Sequence, residues 1–432
     1  MDVACVSATL NKQFQVAPGI PMVSSKTSKK SGRKRVVLAY SGGLDTSVAI
    51  RWLQDKYDLD VIAVSVDVGQ PDVDMKDNID RANKIGVVNA YALDAKDEFV
   101  NEYCWPALKA NAMYEGSYPV CTSIARPLIA KLLVDVAKKE GASFIAHGCT
   151  AKGNDQVRFD VSIGALAPEL GIIAPMREWV MTREDEIDYA KEHGIPIRVK
   201  KQCPYSTDEN LWGRSIECGI LEDAWKEPPE DAFEWTVFPG KAPSKPEYVE
   251  IGFEKGVPVS LNGKKMGGVA LVQRLNELAG KHGVGRIDHI EDRLVGIKSR
   301  ENYEAPAAVV LISAHKDLEK MVLPKDVLKF KAEVDQKYAE LAYDGLWFST
   351  LKECLDSFID KTQEFVTGTV RVRLFKGTAQ IVGRKSPYSM YDHGLATYAT
   401  GDQFDHTSAK GFIYVWGLPL KTVAAVQKVK RK

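Results

Sequence analysis

The sequence predicts an α/β protein in which an N-terminal doubly wound parallel sheet is followed by a second, α+β domain and a C-terminal helical arm. From residue 36 onward, short apolar runs alternate with segments of helical periodicity, the pattern of βαβ units. After residue 200 the pattern becomes apolar/polar alternation around Lys-Gly and Asn-Gly turns, which marks antiparallel hairpins. A chain of 432 residues also exceeds one ordinary core; two domains of roughly 150 to 200 residues are expected. The division reads as a disordered basic extension over 1–35, domains over 36–202 and 203–410, and an arm over 411–432.

The first domain opens with a buried strand, Val-Val-Leu-Ala-Tyr at 36–40. A helix over 46–57 follows, because Val48, Ala49, Trp52 and Leu53 share one face. Strands are predicted at 60–68, 87–93, 144–148 and 172–176, with a short helix at 77–85. Helical stretches are expected near 97–115 and 123–140, the first kinked at Pro106 and the second with Pro127 near its start. Thr182 and Asp185 stand at capping-box spacing before a helix that Gly194 can close.

In the second domain, five prolines between 227 and 248 predict an extended surface connection. Hairpins are predicted at 247–266 and 369–384, turning at Lys255-Gly256, Asn262-Gly263 and Lys376-Gly377, with helices near 269–281, 325–343 and 349–362. The tail from 418 is amphipathic and basic, suited equally to docking on a neighbouring subunit and to a solvated end.

Composition excludes several classes. The 58 basic residues balance 58 acidic ones, so no global field draws the chain to nucleic acid or to an anionic membrane. No apolar run approaches the ~20 residues needed to span a bilayer. Seven cysteines form no C-x-x-C pair, and the seven histidines show no metal-ligand spacing, so no metal site is expected. Residues 1–35 carry seven Lys or Arg against Asp2 alone, with scattered Ser and Thr. That is the composition of an organelle transit segment, here addressed to the plastid stroma, or of a basic tail without an address on a cytoplasmic protein.

The stretch "YSGGLDTS", 40–47, lies where the first strand gives way to a helix, at the carboxyl edge of the predicted sheet. Gly42 and Gly43 remove the Cβ atoms that would keep a ligand from the backbone and permit an anion-binding nest. The helix N-terminus adds partial positive charge, and Ser41, Thr46 and Ser47 add hydroxyls, so phosphate is the natural guest. The alternative is a plain strand-to-helix turn with an Asp or Thr cap. The spacing fits neither the dinucleotide fingerprint G-x-G-x-x-G nor a Walker loop, which needs a lysine. A phosphate loop without its own lysine borrows positive charge from elsewhere in the chain or from Mg²⁺.

S-G-G-x-D-[ST] after a first strand resembles the pyrophosphate loop of the ATP pyrophosphatases, whose adenine nucleotide alpha hydrolase-like domain cleaves ATP to AMP and pyrophosphate. "AYSGGLDTS", "YPVCTSIARP", "HGCTAKGNDQVRF", "YSTDENLW" and "GKHGVGRID…KSRENYEAP" occur in that order. Together they resemble the argininosuccinate synthases from about residue 36 to the C-terminus. The resemblance implies that ATP adenylates the ureido oxygen of citrulline and that the amine of aspartate then displaces AMP. It implies an ATP site at Ala39, Tyr40, Ser41, Gly42, Gly43, Leu44, Asp45, Thr46 and Ser47, with Val66 and Gly148. It places citrulline against Tyr118, Ser123, Asn154, Arg158, Ser206, Ser215, Glu291 and Tyr303 in a synthetase domain. Thr150, Asn154 and Asp155 are implied for aspartate, and Arg126 suits a substrate carboxylate through its two-pronged donor geometry. The family is homotetrameric, with its C-terminal arm reaching across subunits.

These residue types suit zwitterionic substrates: Arg126 and Arg158 for carboxylates, Asp155 and Glu291 for ammonium groups. No covalent nucleophile is required, because bringing three substrates together supplies up to ~7–11 kcal/mol in favourable cases. Asp45, Lys152 and Asp155 are the candidate catalytic residues, Lys152 as the missing phosphate charge. Mg²⁺ is implied by ATP chemistry, with no protein ligand assigned. Ala151 stands where the family usually has glycine, a strain of about 1 kcal/mol or more if φ is positive there. His147 reads as a structural imidazole more readily than as an acid–base group. The competing functions are tRNA sulfur transfer or base modification, which calls for cysteine pairs and a basic surface, and a non-catalytic protein that retains the fold.

Overall fold

The computed structural model describes residues 32–71, 74–150, 152–179, 181–196 and 204–428. The basic extension up to residue 31, Cys5, Ala151, Cys203, the expected 202/203 boundary and residues 429–432 of the arm lie outside the described residues.

The N-terminal half runs β1 (Arg35–Ala39), α1 (Leu44–Tyr57), β2 (Asp60–Asp67), α2 (Met75–Ile85) and β3 (Asn89–Asp94). Then come α3 (Lys96–Phe99), a π turn (Val100–Cys104), α4 (Trp105–Lys109) and α5 (Ala125–Glu140). β4 (Phe144–Ala146), α6 (Asn154–Leu166), β5 (Gly171–Ile173), α7 (Pro175–Glu178) and α8 (Arg183–Glu192) complete it. The strands are parallel in the order β3-β2-β1-β4-β5. Strand order reverses at β1, so the loops after β1 and β4 flank one crevice.

Successive side chains of a strand face opposite ways, and the two cores follow from that. Val36 and Leu38 pack with Val48, Ala49 and Leu53 of α1, whereas Val37 packs with Leu128 and Leu132 of α5. Both faces are covered, as a doubly wound sheet requires. The core on the α5 side continues without a break into Trp212, Val249, Leu311 and Val372 of the C-terminal half.

The expected helix over 97–115 is broken. A π turn widens the chain just ahead of Pro106, which has no N–H to give, and the helix stops at Lys109. The loop beyond holds Asn111 and Glu115 at φ 43° and 49°. Pro127 falls in the first turn of α5, and the capping box of Thr182 and Asp185 opens α8 as the spacing predicts. α6 was not evident from periodicity, because its first turn is polar and faces the crevice described below.

The C-terminal half runs β6 (Ser206–Asn210), β7 (Gly213–Glu217), β8 (Glu247–Glu254), β9 (Val257–Leu261), β10 (Lys264–Lys265) and α9 (Gly268–Lys281). It continues through β11 (Arg286–Asp292), β12 (Lys298–Glu304), α10 (Pro306–Val322), α11 (Lys325–Tyr343) and α12 (Thr350–Gln363). β13 (Gly368–Phe375), β14 (Thr378–Lys385), α13 (His393–Ala396) and α14 (His406–Lys428) close the chain. The predicted hairpins form one sheet, β10-β9-β8-β13-β14. Lys255 and Gly256, at φ 50° and 78°, make the twisted two-residue turn that the sequence signalled, and Lys376 and Gly377 at 43° and 83° repeat it.

A second sheet, β11-β12-β7-β6, and helix α10 carry no sequence signal of the kind used above. α10 is mostly buried, with Ala307, Ala308, Val310, Leu311 and Ala314 fully so, and its outer stripe through Val309, Ser313, Lys316, Asp317 and Lys320 is narrow and opens on an apolar residue. The strands of the second sheet are rich in charge, "RIDHIED" and "KSRENYE", because one face is turned to a polar cavity. α14 is exposed along its length at Phe412, Ile413, Trp416 and Leu420. Among the described residues no helix is long and apolar enough to cross a membrane.

Glu304, fully buried at the end of β12, ties this half together. Its carboxylate accepts from the backbone N–H of Glu234 (3.0 Å), Trp235 (2.9 Å) and Thr236 (2.8 Å), from Thr236 Oγ1 (2.7 Å) and from Arg214 Nη1 (2.9 Å). Glu304→Gln should lower the unfolding free energy by about 3 kcal/mol, because the Arg214 guanidinium loses the one fully buried member of its three carboxylate partners, Glu209, Glu234 and Glu304, and the five donors around Glu304 lose a charged acceptor. Urea denaturation followed by tryptophan fluorescence measures it, and a loss below about 1 kcal/mol would make the network dispensable.

Candidate active site

α1 begins directly beyond the β1 loop, and its N-cap is Gly43, which has no side chain with which to cap it. The first-turn amides therefore point from the helix end with their partial positive charge. Ser41 Oγ accepts from Gly43 N at 3.2 Å and pairs with Thr46 Oγ1 at 3.1 Å, while Tyr40 OH meets Ser47 Oγ at 3.2 Å. Only Gly42 of the two glycines takes a left-handed angle, φ 76°. A Cβ there would come within 2.1 Å of Asn78 Oδ1 and 2.6 Å of Arg81 Nη2, so glycine at this position makes room for α2 rather than for a ligand. Gly43, at φ −76°, is the one whose bare backbone faces outward.

The β4 loop lies against this turn: a Cβ on Gly148 would stand 3.1 Å from Thr46 Cγ2. It leads to a second uncapped helix start, α6, with Asn154 and Asp155 in the first turn. Beyond Gly148 opens a cavity of about 710 Å³. Its other wall is the charged sheet, contributing Ser206 and Asp208 from β6, Ser215 and Glu217 from β7, and Ser299, Glu301 and Tyr303 from β12. The two-residue spacing in each strand is that of one sheet face.

α6 binds the halves together. Asn154 Nδ2 donates to Tyr343 OH (2.8 Å), Asn154 Oδ1 accepts from Leu294 N (2.9 Å), and Arg158 Nε donates to the Tyr343 carbonyl (2.8 Å). Gly345, at φ 75°, permits this approach, since a Cβ would lie 2.8 Å from Arg158 Cα. Glu291 accepts from Tyr303 OH at 2.7 Å and from Tyr343 OH, and lies 3.2 Å from His289 Nε2. Although burial pushes the Glu291 carboxyl up, His289 and the two phenols outweigh it and hold it below the usual range.

A cluster of opposite charges occupies the centre. Asp155 pairs with Arg126 Nη2 at 2.7 Å and Arg158 Nη1 at 2.9 Å, and Asp208 shares Arg126. Burial alone would raise the Asp155 carboxyl, but the two guanidiniums hold it down to about 2. Asp208 is pushed up, chiefly by burial, with the Asp155 charge adding to it. The environment thus separates two neighbouring carboxyls, one firmly ionised and one readier to take a proton.

The structure brings Tyr118, Gly148, Thr150, Asn154, Asp155, Arg158, Ser206, Ser215, Glu291 and Tyr303 together around the wall of one cavity. Ser123 and Arg126 stand behind that wall, and Lys152 lies exposed on the turn before α6. Ala39 to Ser47 form the neighbouring loop, with Leu44 and Asp45 opening α1. Val66 ends β2 nearby, its carbonyl accepting from Gln70 Nε2 at 3.3 Å. His147 is fully buried, its Nδ1 accepting from Cys149 N at 3.3 Å and its Nε2 meeting Asp160 at 2.8 Å, which suits the structural imidazole. Sequence reasoning missed Thr122, Asp208, Glu217, Arg293, Glu301 and Tyr343. Asp208 and Glu301 lay inside quoted motifs, whereas Tyr343, at the last turn of α11, carried no local signal.

Two family models cover the chain: the arginosuccinate synthase N-terminal HUP domain over residues 35–196 and the arginosuccinate synthase C-terminal domain over 205–423. The chain belongs to the argininosuccinate synthase family. It is 61% identical over 398 residues to the argininosuccinate synthase of Symbiobacterium thermophilum, spanning 92% of this chain and 99% of that one. Identity is 58% over 396 residues to the enzyme of Dehalococcoides mccartyi, spanning 92% and 97%. The Geobacillus kaustophilus enzyme matches at 58% over 395 residues, 91% of this chain and 97% of its own.

As in a synthase that needs no thiol, the site cysteines are quiet. Burial pushes the Cys121 thiol up to about 12, and burial with the Asp155 charge raises Cys149 as well. Native alkylation with iodoacetamide at pH 8 should label the exposed Cys218 and Cys354 and spare Cys104, Cys121 and Cys149. Peptide mass spectrometry reads the result, and fast labelling of Cys149 would contradict it.

Proposed function

We propose that the chain condenses citrulline and aspartate to argininosuccinate as ATP is cleaved to AMP and pyrophosphate. One observation carries the reading: an uncapped phosphate-type loop opens through Gly148 onto a cavity whose cations and carboxylates alternate as two amino-acid zwitterions require. The triphosphate is proposed to rest on the amides around Gly43 with the Ser41, Thr46 and Ser47 hydroxyls, Ala39, Tyr40 and Leu44 framing it, and adenine near Val66 and Gly148. Lys152, exposed on the turn before α6, is proposed to supply positive charge to the same phosphates.

Citrulline is proposed to lie against Tyr118, Asn154, Arg158, Ser206, Ser215, Glu291 and Tyr303, with Ser123 behind. The Arg158 Nη2 atom is buried and makes no hydrogen bond within the chain, so it suits a carboxylate. Glu291, kept ionised, suits the α-ammonium. Aspartate is proposed at Thr150, Asn154 and Asp155. Arg126 already pairs with Asp155 and Asp208, and therefore braces the site instead of gripping a substrate directly. The ureido oxygen of citrulline attacks the α-phosphorus and pyrophosphate leaves; the aspartate amine then attacks the activated carbon and AMP leaves. Holding three substrates together provides the main acceleration.

Among the described residues no group of three or more His, Cys, Asp or Glu could hold a metal ion. Mg²⁺ is ordinarily held by one or two carboxylates together with substrate phosphates, and Asp45 fits that arrangement. Burial and the Asp45 charge push the neighbouring Glu186 carboxyl up to about 8, a sign of crowded negative charge that a cation would relieve. Mg²⁺ would supply charge neutralisation at the phosphates there.

The exposed apolar face of α14 supports an arm that packs on other subunits of a homotetramer. Deleting 406–432 should lower the mass measured by light scattering; an unchanged mass would give the arm another purpose. The family match begins at residue 35, ahead of which lies the basic segment. The bacterial source of the relatives favours a cytoplasmic location over the plastid stroma.

Pyrophosphate release from ATP should depend on citrulline and not on aspartate in the first turnover. Asp155→Ala should lower kcat/KM for aspartate by about 100-fold or more, as loss of a charged contact in the site implies. A coupled pyrophosphate assay measures both, and release without citrulline would sink the assignment.

A further inference from the structure

We propose that Arg81, seconded by Asn78, is the positioning residue of the nucleotide loop: it keeps the Gly42 carbonyl turned into the protein, so that the loop presents amides to the triphosphate. The inference rests on the nucleotide reading above and extends it to α2, which carries none of the motif residues.

The contacts are direct. Arg81 Nη1 donates to Gly42 O at 2.6 Å and Nη2 to Asn78 Oδ1 at 2.7 Å, while Nε lies 3.2 Å from Asp77 Oδ2. Asn78 Nδ2 donates to Ser41 O at 3.3 Å. Two consecutive carbonyls of the loop are thereby fastened to α2, which Asp74 caps by accepting from Asp77 N at 3.0 Å. A carbonyl facing a polyphosphate repels it, and turning successive carbonyls away is what gathers N–H groups into an anion nest. The left-handed angle of Gly42 makes that turn, and the clamp fills the space a Cβ would need.

Arg81 also answers the charge question. The loop has no lysine, and Arg81, only 6% exposed, places a guanidinium directly behind it. Its fork engages the carbonyl and the amide of Asn78 together, which the single point charge of a lysine does less well. Sequence gave no sign of this, because Arg81 falls within a short helix outside every quoted motif.

The test is calorimetric titration of Mg·ATP and of pyrophosphate into the full chain carrying Arg81→Met, Arg81→Lys or Asn78→Ala, alongside steady-state kinetics. Arg81→Met should weaken binding of both ligands by about tenfold or more, the loss expected for one charge-assisted hydrogen bond. KM for citrulline and aspartate should stay within about twofold, which separates loop positioning from general damage. Arg81→Lys should recover part of the loss. If Arg81→Met fails to fold, Asn78→Ala carries the same test, with a smaller weakening of ATP alone. Unchanged ATP affinity in the folded variants overturns the proposal, as does an equal loss for all three substrates. Failure of the unaltered protein to bind ATP would overturn the nucleotide reading itself.

Discussion

The hydrogen bonds that Asn154 and Arg158 make to Tyr343 and Leu294 are the constraint on which the site depends. They lie within two turns of α6, whose N-terminus also borders the nucleotide loop. One helix therefore sets the distance between the phosphate-type loop and the polar sheet. Because Arg158 is buried and its charge is met by Asp155, pulling the two apart would strip a buried guanidinium of its counter-charge and leave Asp155 to Arg126 alone, a cost of several kcal/mol. The geometry of the cavity is in this sense held by an ion pair that is also part of its wall.

Electrostatic asymmetry follows from the same cluster. Arg126 serves two carboxyls, yet Asp155 has a second guanidinium and Asp208 has not. A single extra neighbour is enough to send the two in opposite directions. Glu291 is treated similarly by two phenols and an imidazole. Stacking of Tyr114 on Tyr343, with ring centroids 3.6 Å apart, and of Tyr118 on Tyr303 at 4.1 Å, keeps those phenols from turning away.

Much of the fold was legible where its physics is local. Buried parallel strands are continuous apolar runs, and the capping box at Thr182 and the turns at Lys255 and Lys376 are decided by adjacent residues. The illegible parts are those where burial or function overrides period. α10 is buried over most of its surface and keeps only a narrow polar stripe at Ser313, Lys316, Asp317 and Lys320; β11 and β12 are charged because they face a cavity; α6 begins with residues chosen for contact rather than for helix formation. For the site, although Thr122, Asp208 and Glu301 inside the motifs were passed over, neighbours of theirs in the cavity lining were named. Tyr343 and Arg81 were not, since each acts through a fold-level approach that sequence distance conceals. Gly42 takes the left-handed angle that the sequence reading expected of a nest, and its missing side chain also makes space for α2.

The larger hydrophobic core passes from Val37 and Leu128 in the first half to Leu311 and Val372 in the second without interruption. Two lobes that share one interior cannot swing apart as rigid bodies without exposing it to water. Traffic of substrates into the cavity and of pyrophosphate out of it therefore falls to peripheral segments that can lift without disturbing the shared interior.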